Sequence, residues 1–121
     1  MKRDLDLVRA ILKDVEETPA GQIISGLEFD GYDKADVGEH VHLLLDAGFL
    51  KGEIVRAMDG QYFMAIQGLT WKGHDFVNAA KADSVWKPVK EKLLKSAVGF
   101  TFDLVVELLK AEAKRQMALD L

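Results

Sequence analysis

The sequence predicts a mainly α-helical chain with a small antiparallel β-sheet (α+β), on three observations. Residues 4–17 and 33–47 repeat their apolar side chains with helical spacing. An Asp59-Gly60 pair stands between two runs rich in β-formers, a strong short-range hairpin signal. From Trp71 onward the helical spacing returns and persists to the C-terminal end. Residues 1–82 are predicted to form the core, and residues 83–121 a C-terminal helical extension packed on it.

In chain order, Asp4 to Glu17 sets Leu5, Val8, Leu12 and Val15 on one helix face, broadened by Leu7 and Ile11. Thr18-Pro19 stops this helix, since proline lacks the N–H and restricts its predecessor. The segment 20–32 mixes glycine with Ile23, Ile24, Leu27 and Phe29, which suits a short extended strand between turns; a loop is the alternative. The second helix is the element around which the rest is organised. Asp33 is placed to cap it and Gly48 to end it. Val37, Val41 and Leu44 form its inner side, with His40 and Leu45 at the shoulders, while Ala35, Glu39, His42 and Asp46 face outward. Leu50–Met58 and Gln61–Ile66 are the hairpin strands, broken after Ile66 by Gln67-Gly68. Thr70 is placed to cap a helix to about Ala82, with Trp71, His74, Val77, Phe76 and Ala80 inside. Asp83-Ser84 starts another to about Ala97, with Trp86, Val89, Leu93 and Ala97 at core spacing, Pro88 near its start and Gly99 as its stop. The last, Thr101 to about Ala118, has two apolar stripes. Phe102, Val105, Val106, Leu109 and Ala113 form one; Leu104, Leu108 and Leu119 form the other and call for a partner.

Composition narrows the function classes. Nearly half of the 121 residues are apolar, enough for a modest core. A net charge of −4 disfavours broad attraction to nucleic acid or anionic lipid. Without cysteine there is no disulfide, thiolate nucleophile or thiolate metal site. The start, MKRDLDLVRAILKDVEE, alternates charge with apolar positions and reads as an amphipathic helix, not a signal peptide. No apolar run approaches membrane-spanning length, so a bacterial cytoplasmic location is expected and no membrane partner.

Helix, short strand, helix and hairpin is the order of a winged helix. HVHLLLDAGFL at 40–50 resembles the end of the recognition helix and entry to the wing in small bacterial regulators. Together with GLTWKGHDFVNAAKADSVWKPVKEK at 68–92 it is similar to a family of small bacterial and prophage proteins known as a domain of unknown function. The resemblance runs from the MKRDLDLVRAIL start to the GFTFDLV stretch at 99–105. It implies a winged-helix-like core and no particular activity. In one respect the chain departs from the winged-helix pattern. Between Pro19 and Asp33 it has glycines and β-formers where the supporting helix of a helix-turn-helix should lie.

No enzyme signature is present: no Gly-rich phosphate loop, no G-x-S-x-G, no H-E-x-x-H. We therefore expect a non-enzymatic protein with no catalytic residue, no cofactor, no metal and no small-molecule substrate. His40 and His42, two apart on a helix, point about 200° from each other and cannot hold one ion together. His40 and His74 are expected in structural roles. Trp71 and Trp86 are expected as packing anchors.

Two functions remain. A groove-reading helix presents Arg, Lys, Asn or Gln, yet between Asp30 and Asp59 three basic residues (Lys34, Lys51, Arg56) face seven acidic ones. The favoured expectation is therefore a protein-contacting or homodimeric interaction module using Leu104, Leu108 and Leu119. The alternative is a small bacterial or prophage DNA-binding regulator. It would place Lys34, His42 and the hairpin at the interface, supported by the basic helix carrying Lys87, Lys90 and Lys95.

Overall fold

A computed structural model describes residues 1–96 and 101–120. The expected core position Ala97 and stop at Gly99 lie outside the described residues. In chain order the elements are α1 (Leu5–Glu17), α2 (Lys34–Asp46), β1 (Leu50–Arg56), β2 (Tyr62–Leu69), α3 (Trp71–Ala80), α4 (Asp83–Lys95) and α5 (Phe102–Asp120). The chain is mainly helical with one two-stranded antiparallel sheet, as predicted. It forms two compact units, Met1–Asp75 and Phe76–Leu121.

In the first unit α1 starts where the Asp4 carboxylate accepts the Leu7 N–H at 3.1 Å. It buries Leu7, Val8, Ile11, Leu12 and Val15. Burial on this scale contributes about 1.5–3 kcal/mol per large aliphatic side chain. α2 follows Asp33, whose backbone is extended but whose side chain makes no capping bond. Its end is a Schellman turn. Gly48, at φ +80°, lets Phe49 N–H reach Leu44 C=O at 2.9 Å and its own N–H reach Leu45 C=O at 3.1 Å. Val37, Val41 and Leu44 are buried as expected.

β1 and β2 pair from Leu50–Leu69 to Arg56–Tyr62. Their connection is longer than a two-residue turn. Gly60 N–H donates to Ala57 C=O at 2.9 Å and Ala57 N–H to Gln61 C=O at 2.7 Å, with Gly60 at φ +87°. This is a three-residue loop that uses the glycine's left-handed conformation after a β-turn. Gln67-Gly68 does not break β2. Lys51 pairs with Gly68 and Gly52 with Ile66, so Gln67 is the extra residue of a bulge and the strand runs on to Leu69. The strand expected within residues 20–32 reduces to one bridge, Ile24–Ile66, with two hydrogen bonds of 2.9 Å.

Thr70 caps α3 as expected, accepting the Gly73 N–H at 3.1 Å, and its hydroxyl donates to Gly48 C=O at 2.5 Å. The predicted inner side of α3 is corrected at two positions, Trp71 and His74. Phe76, Val77 and Ala80 are buried, whereas Trp71 is 85% exposed and His74 is exposed. Gly73 is itself buried, and its α-carbon lies so close to the Phe49 carbonyl that any side chain there would overlap it.

In the second unit α4 buries Val85, Trp86, Val89 and Leu93, and α5 buries Val105 and Leu109. The Phe76 ring meets Trp86 edge-on, centroids 6.3 Å apart, and lies 5.2 Å from Phe102. Thr101 caps α5 by accepting the Leu104 N–H at 3.2 Å. Pro88 removes the N–H that would bond to Ser84 C=O within α4. The side-chain amide of Gln116 on α5 donates to that carbonyl instead, at 2.7 Å.

Candidate interaction surfaces

α2 places Ala35, His42 and Asp46 on its exposed side, as predicted. Glu39 is different. The Tyr62 hydroxyl on β2 donates to it at 2.5 Å, so it is turned against the hairpin and not free in solvent. The Tyr62 phenol is pushed above its ordinary range, first because it donates to the Glu39 carboxylate, then by burial and by that carboxylate's charge. Room for the ring comes from Gly38, where an added Cβ would stand 2.5 Å from the ring carbon Cγ.

Both nucleic-acid candidates on α2 are beside acids. Lys34 Nζ lies 3.7 Å from the Glu28 carboxylate and His42 Nε2 lies 3.3 Å from Asp46. Neighbouring carboxylates compete with any phosphate for these two groups. Lys72, exposed at the start of α3, lies with its ammonium 4.8 Å above the Phe49 ring and 3.5 Å from Ala47 C=O. Of the candidates on α4, Lys87 and Lys95 are exposed and Lys90 is half-buried.

The three leucines proposed for partner contact lie along α5. Leu104 is 44% exposed and Leu119 72% exposed, with Leu108 half-buried between them. α5 is 19 residues long against 13 for α4, and Gln116 already sits against Ser84 at the start of α4. Met117 and Leu119 therefore extend past α4, and both are exposed. The neighbouring buried stripe holds a polar clasp. Glu112 is 7% exposed, accepts from Arg115 at 2.7 and 3.1 Å and from the Gln116 amide at 3.0 Å. Arg115, then Gln116, hold its carboxyl at about 2, well under the usual carboxylate range.

Sequence reasoning missed two features. One is the hairpin's solvent face, where the cross-strand partners Val55 and Phe63 and the turn residue Met58 are all more than 60% exposed. The other is a cleft of about 490 Å³ where residues 25–28 part from β2, lined also by Lys34, Val37 and Asp59. Neither has a local motif. Among the described residues no group of three or more His, Asp or Glu side chains is gathered to hold a metal ion. No helix among them is long and apolar enough to cross a membrane.

The chain is similar over 119 residues to an uncharacterized protein of Haemophilus influenzae (strain ATCC 51907 / DSM 11121 / KW20 / Rd). The two are 26% identical, and the match covers 98% of this chain and 100% of that protein. No solved structure matches the chain. The model of one family, described as Hypothetical protein (DUF2513), matches residues 2–99. The chain therefore belongs to the DUF2513 family.

Proposed function

We propose that this chain is a non-enzymatic interaction module on a winged-helix-like core, and that it pairs with a second copy of itself through α5. The observation that carries this reading is the stripe on which Leu104 and Leu119 are exposed and Leu108 half-buried, on a helix longer than its neighbour. An apolar stripe partly open to water is stabilised by covering it, and a symmetric helix-to-helix contact covers both copies at once. The order α1, α2, hairpin, with residues 20–32 adding a single bridge to β2, supports the winged-helix-like reading. The acidic setting of α2 favours protein over phosphate as the partner.

Light scattering on the purified protein tests the reading, with the Leu104→Glu/Leu119→Glu variant as its control. A dimer that becomes a monomer in the variant is expected. A wild-type monomer overturns it. The DNA-binding regulator is tested by titrating duplex DNA at low salt. Binding that weakens steeply with added salt, and is lost on changing Lys34, Lys87 and Lys95 to Glu, would favour that alternative.

A further inference from the structure

β2 has main-chain hydrogen-bonding groups on two edges, and only one of them is filled. Toward β1, Gln61 C=O accepts from Ala57, and the register then pairs Phe63 with Val55 and Ala65 with Glu53. Alternation along a strand turns the N–H and C=O of Tyr62, Met64 and Ile66 to the opposite edge. There Ile66 exchanges its two bonds with Ile24. Continuing that antiparallel register would pair Gly26 with Met64 and Glu28 with Tyr62. The pairing stops after one residue instead, and the cleft of about 490 Å³ opens between residues 25–28 and Tyr62–Met64. Among the described residues, the main chain of Met64 has no hydrogen-bond partner on this edge.

We propose that this cleft takes an extended peptide of a partner protein, added as a strand to the open edge of β2, with basic side chains flanking an inward apolar one. Main-chain pairing along Tyr62–Met64 suits a segment of about three residues, roughly 10 Å of strand. Its inward side chain would rest on Leu27, Val37 and Met64, which line the cleft. Its neighbours would meet the carboxylates of Glu28 and Asp59 at the rim. Lys34, the cation of that rim, already lies 3.7 Å from Glu28. With two carboxylates against one ammonium, the charged groups lining the cleft carry a net negative sign. The proposal goes beyond pairing through α5 and does not depend on it.

The test is amide hydrogen exchange at Met64, read by NMR on the full chain, with and without a capped pentapeptide alternating Lys and Val. The peptide is expected to slow exchange at the Met64 amide about tenfold or more, while a peptide alternating Glu and Val leaves it unchanged. Met64→Pro removes the edge donor without touching the β1 ladder, because that N–H points away from β1, and should weaken binding at least about tenfold. If that variant does not fold, the double variant Glu28→Lys/Asp59→Lys serves instead and should reverse the preference toward the Glu–Val peptide. The proposal is overturned by unchanged Met64 exchange at millimolar Lys–Val peptide, or by equal binding of the two peptides. A Met64 amide already protected in the free protein also overturns it, since residues 25–28 would then fill the edge themselves.

Discussion

His40 Nε2 accepts a hydrogen bond from the main-chain N–H of Asp4 at 2.9 Å, across 36 residues of sequence. The other ring nitrogen lies 2.7 Å from Asp36 C=O, the residue one turn earlier in α2. Nε2 must carry the lone pair and Nδ1 the proton, so the buried ring is the neutral Nδ1–H tautomer. Asp4 is meanwhile the cap of α1, and its second carboxylate oxygen accepts the Tyr32 hydroxyl at 3.0 Å. One imidazole thus binds the start of α1 to the middle of α2.

His40→Ala should destabilise the first unit by about 2–4 kcal/mol, because it leaves the Asp4 N–H without its acceptor and opens a cavity. Chemical denaturation followed by NMR signals of residues 5–69 measures this. A loss under about 0.5 kcal/mol would show that the bond contributes little.

Gly38→Ala should destabilise by about 1–3 kcal/mol although alanine is the better helix former, since the new Cβ would meet the Tyr62 ring. Tyr62→Phe should cost about 1 kcal/mol through the lost bond to Glu39. It should also alter the alkaline limb. The folded-state phenol of Tyr62 titrates above its ordinary value of 10.0, so its stabilisation is complete below that pH and is lost as pH rises through the raised value. Unfolding midpoints taken from neutral to high pH should therefore fall less steeply in the Phe variant.

The Pro88–Gln116 relationship predicts a non-additive pair. Gln116→Leu leaves the exposed Ser84 carbonyl to water and should cost about 0.5–1 kcal/mol, whereas Pro88→Ala restores an N–H to that carbonyl within α4. In the double variant most of the Gln116→Leu penalty should disappear. A double-mutant cycle with no coupling would contradict the assignment.

Glu112 predicts the acid limb. Its carboxyl is held at about 2 against an ordinary 4.5, so the stabilisation it contributes is present above the ordinary value and disappears as pH falls toward about 2. Glu112→Gln should be less stable than the wild type at neutral pH and should show a flatter stability profile between about 4.5 and 2. Parallel profiles would place the acid sensitivity elsewhere.

What the sequence made legible was local. Thr70 caps α3 through a side chain three residues from its target, as predicted, and Gly48 and Gly60 mark backbone turns that glycine adopts without strain, whereas Asp33, predicted to cap α2, makes no capping bond. The inner faces of α1 and α2 followed from period alone. The misses depend on distant partners. In the ten-residue α3, Phe76, Val77 and Ala80 lie on the inner side as predicted, whereas Trp71 and His74, assigned there by residue type, are exposed. Glu39 looked solvent-facing because Tyr62 is 23 residues away, and the bulge at Gln67 depends on β1 as much as on β2. For the interaction surfaces, helical spacing indicated the α5 leucines, while the open edge of β2 exists only because residues 25–28 leave the sheet.

Multi-angle light scattering on the purified chain tests the central claim most directly. Pairing through α5 predicts a mass twice the 13.5 kDa of one chain, returning to 13.5 kDa in Leu104→Glu/Leu119→Glu with its helical circular dichroism retained. A wild-type chain that stays at 13.5 kDa at high micromolar concentration would contradict it, as would a dimer indifferent to both substitutions.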